Sequence, residues 1–153
     1  MIKDLSSSGV KKINFVGGEP MLHPHLEAWI IVAKSCGLTT SIVSNGTRMT
    51  EEWLTKIRPH LDWLGLSIDA SNDELHALMG RGLKGEISSG VSKHLERSKE
   101  VWRLAQRLGY GLKLNTVVTS VNIDDNMAKL VRVLKPHRWK IFRVLKIKGE
   151  NDE

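Results

Sequence analysis

Lys11-Lys12-Ile13-Asn14-Phe15-Val16-Gly17-Gly18-Glu19-Pro20-Met21-Leu22-His23-Pro24 is an apolar strand that runs straight into Gly-Gly-Glu-Pro. A buried strand of a parallel sheet is a short apolar run bounded by turn residues, and Ile13, Phe15 and Val16 fit that pattern. The two glycines allow torsions and close approaches that a side chain forbids, and a carboxylate and a proline follow at once. Carbonyls brought close by the glycines, together with Glu19, supply acceptors for a ligand ammonium group. The plainer reading is a strand-to-helix turn with Glu19 solvated and Pro20 opening the helix.

Working outward from this corner, residues 2–10 predict the last turn of a helix with a glycine exit. Leu26, Trp29, Ile30 and Ala33 recur at helical spacing until Gly37, and Thr40-Ser41-Ile42-Val43-Ser44 is a strand stopped by Asn45-Gly46. Thr50 caps a helix closed by Pro59, Leu61 to Asp69 is a strand, and Ser71 to Leu78 a short acidic helix. Met79 to Gly85 predicts a mobile glycine-rich basic loop, followed by a long helix with Val91, Leu95, Val101 or Trp102, Ala105 and Leu108 facing inward. Gly111 to Val118 is a strand, Ile123 to Leu134 a helix broken by Pro136, and Arg138 to Leu145 the last strand. Five alternations with short connections predict right-handed β/α units on a parallel sheet, as one domain. Ligands of such sheets lie at the C-terminal strand ends, where Glu19, Ser44, Asn45, Ser67, Asp69, Asn115 and the residues after the final strand should converge.

Composition narrows the classes. The chain has 153 residues, 41% hydrophobic and 26% charged. No apolar run approaches the ~20 residues that span a bilayer, and the N-terminus carries no apolar signal core, which predicts a cytosolic protein. Lys and Arg outnumber Asp and Glu by 23 to 17, a net charge of +6. That suits a nucleic-acid surface or a site for anionic small molecules. Cys36 is the only cysteine, so the chain builds no disulfide and no zinc or iron-sulfur cage, and its expected role is a small core residue. The six histidines do not fall at a metal-ligand spacing. Trp53, Trp63, Trp102 and Trp139 recur within apolar patterns and predict packing rather than base stacking.

Basic residues inside apolar strands are the more unusual feature. Lys12, Lys113, Arg138 and Lys140 lie on strands expected to be buried, where an unpaired charge costs several kcal/mol. Lys113 and Asn115 differ by two positions, as do Arg138 and Lys140, so each pair points to one side of the sheet. Taken singly, each cation reads as one that snorkels to solvent; three strands doing so on one face suit a multiply charged anion such as a triphosphate, with Asn115 orienting a hydroxyl. Ser67 ends its strand in reach of a ribose or carboxylate, or bonds its own backbone. Arg81, between two glycines, is free to fold over a carboxylate or simply solubilises its loop.

Phe15-x-Gly17-Gly18-Glu19-Pro20 resembles the methionine-amino-binding motif of the radical S-adenosylmethionine (SAM) superfamily. Lys12 to Pro20, Ser41 to Gly46, Gly80-Arg81-Gly82, Lys113-x-Asn115 and Arg138-Trp139-Lys140 together resemble the viperin-like family, in order and spacing, over nearly the whole chain. The resemblance implies a partial (β/α)6 barrel of about five parallel strands. It also implies an enzyme that uses SAM and a [4Fe-4S] cluster, with an outside reductant, to make a 5′-deoxyadenosyl radical. That radical removes the 4′ hydrogen of a nucleoside triphosphate (CTP, UTP or GTP), and loss of water gives an antiviral 3′-deoxy-3′,4′-didehydro nucleotide. By resemblance Gly17, Gly18, Glu19, Pro20, Ser67 and Arg81 bind SAM, while Lys12, Lys113, Asn115, Arg138 and Lys140 bind the nucleotide. The family's Cys-x3-Cys-x2-Cys motif and its closing C-terminal segment with a catalytic tyrosine have no counterpart in these residues, so the chain is expected to be a cluster-less middle portion. It carries no catalytic or metal-ligating residue of its own. The competing expectations are a SAM- or nucleotide-binding relative without radical chemistry and, from the charge alone, an RNA-binding protein.

Overall fold

The computed structural model describes residues 1–145 and 149. Five strands, β1 (Lys12–Phe15), β2 (Thr39–Ser44), β3 (Trp63–Ser67), β4 (Gly111–Val118) and β5 (Arg138–Arg143), form one sheet in the order β1-β2-β3-β4-β5. Every neighbouring pair is parallel, so the strands make a curled half-barrel as expected. The helices are α1 (Ile2–Ser7), α2 (Leu26–Ser35), α3 (Glu51–Ile57), α4 (Asp73–Leu78), α5 (Lys84–Ser88), α6 (His94–Arg107) and α7 (Ala128–Leu134). None among the described residues is long and apolar enough to cross a membrane.

The period of two within the strands divides the sheet into unlike faces. Ile42, Leu64, Leu66, Leu112 and Leu114 are buried in one core with Ile30 of α2, Leu54 and Ile57 of α3, Trp102 and Ala105 of α6, and Leu130 and Leu134 of α7. The alternate positions carry Ser41, Trp63, Ser67, Lys113, Asn115, Arg138 and Lys140, so the concave face is polar. Registry aligns Gly65, Lys113 and Arg138 in one row and Ser67, Asn115 and Lys140 in the next.

Local signals account for most boundaries. Thr50 accepts from the Trp53 amide at the start of α3, and Asn72 accepts from the Leu75 amide at the start of α4. Gly37 (φ 77°) ends α2 in the left-handed region, and half-buried Cys36 is its C-cap rather than a core residue.

Four expectations are corrected. The loop expected over Met79 to Gly85 yields its last residues to α5 and is tied down: the Arg81 amide donates to the His76 carbonyl, the Ser92 hydroxyl to the Arg81 carbonyl, and Glu86 receives Arg97 through both guanidinium nitrogens. The following helix begins at His94, leaving Val91 exposed. The segment before α7 is held out of helix by its side chains. Asn122 donates to the Asp69 and Val117 carbonyls and accepts from the Thr119 amide, while Asp125 accepts from the Ser71 amide and hydroxyl. Strand β5 stops at Arg143 rather than Leu145, and of the residues after it, 146–148 and 150–153 lie outside the described set.

The expectation of buried basic strands also fails for most of them. Every residue of β5 is exposed, as is Lys12 on β1, because these are the two lateral strands and the concave face is open. A half-barrel with two unpaired edges buries less than a closed one. The chain on its own should therefore unfold in a cooperative transition with a midpoint below roughly 65 °C, as scanning calorimetry would read it; a higher midpoint would show that the open edges cost little.

Candidate cofactor and anion site

After β1 the backbone passes through Gly17 (φ 148°) and Gly18, where an added Cβ would meet nothing within 4 Å, so the corner is open on its outer side. Glu19 then turns inward. Its Oε1 accepts from the Ser44 hydroxyl at 2.7 Å and the Met21 amide at 3.0 Å, and its Oε2 from the Asn45 amide at 2.9 Å. Pro20 opens a short 3-10 turn, Pro20–Leu22. Ser44-Asn45-Gly46, read from sequence as a turn with a weaker claim to ligand contact, thus acts by aiming Glu19. A carboxylate fixed by three donors, beside two residues without Cβ, can accept an ammonium group at little further ordering cost.

Ser67 and Arg81 are brought to the same end of the sheet by the α4 to α6 region. Asp69, 1% exposed, pairs with Arg81 at 2.5 Å between Oδ2 and a guanidinium nitrogen, and Arg81 remains one-third exposed. The other oxygen of Asp69 accepts from the Val117 amide at 2.8 Å. One side of the Arg81 guanidinium is therefore committed to the protein, with donors left for a ligand anion. Beneath lies a pair of buried histidines with ring centroids 4.8 Å apart. His94 Nε2 donates to the Ser67 carbonyl at 2.8 Å, which anchors the end of β3, and His76 Nε2 accepts from the Asp69 and Ala70 amides. Burial, with His94 alongside, pushes His76 down to about 4, and burial also lowers His94, so both are neutral at pH 7. No motif or spacing in the sequence marks either histidine.

The cations meet lower on the concave face, toward the strand starts. Lys113 is 5% exposed and donates to the Ser41 hydroxyl at 2.6 Å. Burial, followed by neighbouring Lys12, Lys140 and Arg138, lowers its pKa from the ordinary 10.5 to about 7. Among the described residues no carboxylate pairs with Lys12, Lys113, Arg138 or Lys140. One rung above Lys113, the buried side-chain oxygen of Asn115 has no hydrogen-bond partner among the described residues. An unmet buried acceptor beside a buried ammonium crowded by other cations is costly unless something binds there. The sequence reading missed two contributors: Ser41, and Trp63, which is not simply a packing residue because its ring lies on this polar face under three of the cations. The expected convergence at the C-terminal strand ends holds for Glu19 with Ser44 and Asn45, and for Ser67 with Asp69; Asn115 instead lies within β4, and most of the residues after the final strand lie outside the described set.

The upper corner fits the amino acid end of SAM: an oriented carboxylate for the ammonium and a half-committed arginine for the carboxylate. A [4Fe-4S] cluster does not fit the chain, since three thiolates are needed, Cys36 is the single cysteine, and no group of three His, Cys, Asp or Glu among the described residues is placed to hold a metal.

Comparison with known proteins agrees with this geometry. The family model described as the radical SAM superfamily matches residues 1–134. A protein of Lacinutrix mariniflava named S-adenosylmethionine-dependent nucleotide dehydratase is 38% identical over 152 residues, 99% of this chain and 31% of that protein. One of the same name from Flammeovirga pacifica is 38% identical, covering 99% of this chain and 51% of its own length. The fish protein S-adenosylmethionine-dependent nucleotide dehydratase RSAD2 of Siniperca chuatsi is 35% identical over 98% of this chain and 42% of its own. The chain thus spans about a third to a half of the length of these relatives. In fold it is similar to native anSMEcpe with bound AdoMet and a peptide, at a TM-score of 0.77 and 20% identity over 99% of this chain and 44% of that one. Streptococcus suis SuiB matches at 0.77 and 16%, over 99% of this chain and 33% of its own. With the family model matching most of its length, a parallel half-barrel behind it and a glycine-flanked, triply anchored carboxylate after its first strand, this chain belongs to the radical SAM superfamily.

Proposed function

We propose that this chain carries the SAM and nucleotide sites of a viperin-like radical SAM nucleotide dehydratase acting on a nucleoside triphosphate of the CTP, UTP or GTP kind. The observation that carries the reading is the set of four cations on the concave face without carboxylate partners among the described residues, below a corner suited to SAM. Gly17, Gly18, Glu19 and Pro20 would hold the ammonium end, Arg81 the carboxylate and Ser67 the ribose. Lys12, Lys113, Arg138 and Lys140 would take the phosphates, and Asn115 a sugar hydroxyl. A [4Fe-4S] cluster, for which the described residues offer no ligand set, would supply the reducing electron in such an enzyme.

The residues of this chain would position the nucleotide. With cations toward the strand starts and the SAM corner at the strand ends, a nucleotide would lie with its phosphates toward the former and its sugar toward the latter. An antiviral role and a cytoplasmic location belong to the same proposal.

Two measurements test it. Calorimetric titration with CTP, UTP, GTP and SAM should show saturable binding of SAM and of at least one triphosphate, each with a modest dependence on salt; affinity only for long RNA, falling steeply with salt, would replace the reading with an RNA-binding one. After iron and sulfide reconstitution, this chain alone with SAM and a strong reductant should release no 5′-deoxyadenosine, because it lacks the cluster thiolates. Release of 5′-deoxyadenosine, or about four irons per chain, would overturn that assignment of roles.

A further inference from the structure

Three of the four cations converge on one indole. Lys113 Nζ lies 5.2 Å, Lys12 Nζ 5.4 Å and the Arg138 guanidinium carbon 5.7 Å from the Trp63 ring centroid, all within the range of cation–π attraction. Such contacts occur about once per 70–80 residues, so three on a single ring exceed incidental packing. They come from three different strands. Lys12 and Arg138 are exposed and free to swing into solvent away from buried Lys113, yet both lie over the ring.

The backbone makes room for this. Trp63 is registered against Gly111, and a Cβ at Gly111 would sit 2.6 Å from two carbons of the indole. The His137 ring meets the indole edge-on at 5.9 Å, with its Nδ1 accepting from the Leu112 amide, so the ring is held between β4 and the turn into β5. Gly111 has no positive φ that would demand glycine; the space demands it.

We propose that Trp63 is a positioning residue of the phosphate site, gathering Lys12, Lys113 and Arg138 into one anion-binding surface before any anion arrives. This inference rests on the phosphate-site reading above and adds to it a residue and a reason. Like charges assembled in an empty pocket repel, and something must offset that repulsion. A carboxylate would do so but would also repel the incoming phosphates. The face of an indole attracts each cation through its quadrupole and offers no hydrogen-bond acceptor to compete with phosphate oxygens. The ordering cost of the three side chains is then met before binding, which leaves more of the contact energy for the ligand.

The test uses Trp63→Leu, Trp63→Phe and Gly111→Ala in the complete gene product, titrated separately with inorganic triphosphate and with SAM. Trp63→Leu should weaken triphosphate binding roughly tenfold, and Trp63→Phe, which keeps an aromatic face, should recover most of the loss. Gly111→Ala, which pushes the ring aside without removing it, should resemble Trp63→Leu. SAM affinity should stay within about twofold of wild type in all three. Unchanged triphosphate affinity in Trp63→Leu would overturn the proposal, as would equal losses in the Leu and Phe variants, which would show the ring acting by bulk alone. Parallel loss of SAM binding would also overturn it, since the substitution would then act on the fold. A wild-type protein that binds SAM but no triphosphate would instead strike down the phosphate-site reading itself, and this inference with it.

Discussion

Lys113→Met should raise the stability of the ligand-free protein while it removes most of the triphosphate affinity. The two effects share one cause. Lys113 is buried among Lys12, Arg138 and Lys140, and among the described residues its acceptor is the Ser41 hydroxyl, so its charge is a cost until an anion joins it. Methionine fills similar space without the charge. Thermal unfolding at pH 7 should move up by about 2–4 °C for each kcal/mol of relieved repulsion and desolvation. Loss of a charge-assisted contact should weaken triphosphate binding by roughly 1–3 kcal/mol and leave SAM binding nearly unchanged. Glu19→Gln should do the reverse, losing SAM and keeping the triphosphate. Equal losses for both ligands in both variants would mean that the substitutions act on folding.

The pH dependence of Lys113 has a definite sign. Its pKa falls from 10.5 in the unfolded chain to about 7 in the folded one. Between those values the unfolded chain holds a proton that the folded chain has released, so this group makes stability rise with pH from about 7 toward 10.5. A bound triphosphate favours the charged ammonium, so binding above pH 7 should take up a proton. Calorimetry in buffers of different ionisation enthalpy reads that uptake directly, and Lys113→Met should abolish it.

Arg81→Ala should cost both stability and SAM affinity, which would distinguish it from Glu19→Gln. It leaves Asp69 buried, still accepting from the Val117 amide but without its cationic partner. Breaking a buried pair costs ~3–5 kcal/mol, and the exposure of Arg81 brings the expectation down to about 2–3 kcal/mol. SAM affinity should fall by roughly ten- to a hundredfold with the loss of one charged donor group. Adding Asp69→Asn to Arg81→Ala should return part of the stability and none of the SAM affinity. Recovery of neither would show that Asp69 supports the fold through its amide contact alone.

The linear chain settled what depends on periodicity and on neighbours in sequence. Alternation of apolar strands and helices with short connections predicted the parallel sheet, because only β/α units satisfy that pattern. Gly17-Gly18-Glu19-Pro20 marked the sharp corner after the first strand, and the two-residue spacings of Lys113 with Asn115 and Arg138 with Lys140 placed each pair on one face. Tertiary structure decided the rest, for reasons that no local window contains. Whether a strand cation is buried depends on its place in the sheet order: Lys113 on β4 is enclosed, while Lys12 and Arg138 on the lateral strands are open to solvent. Ser44 and Asn45 act through a carboxylate 25 and 26 positions away, and Asp69 holds Arg81 across a helix. Trp63 reads as one more apolar strand residue until the sheet registers it against Gly111 and curls Lys12, Lys113 and Arg138 over its face. Convergence of like charges on a neutral ring is a property of three strands at once, and so only the folded sheet could produce it.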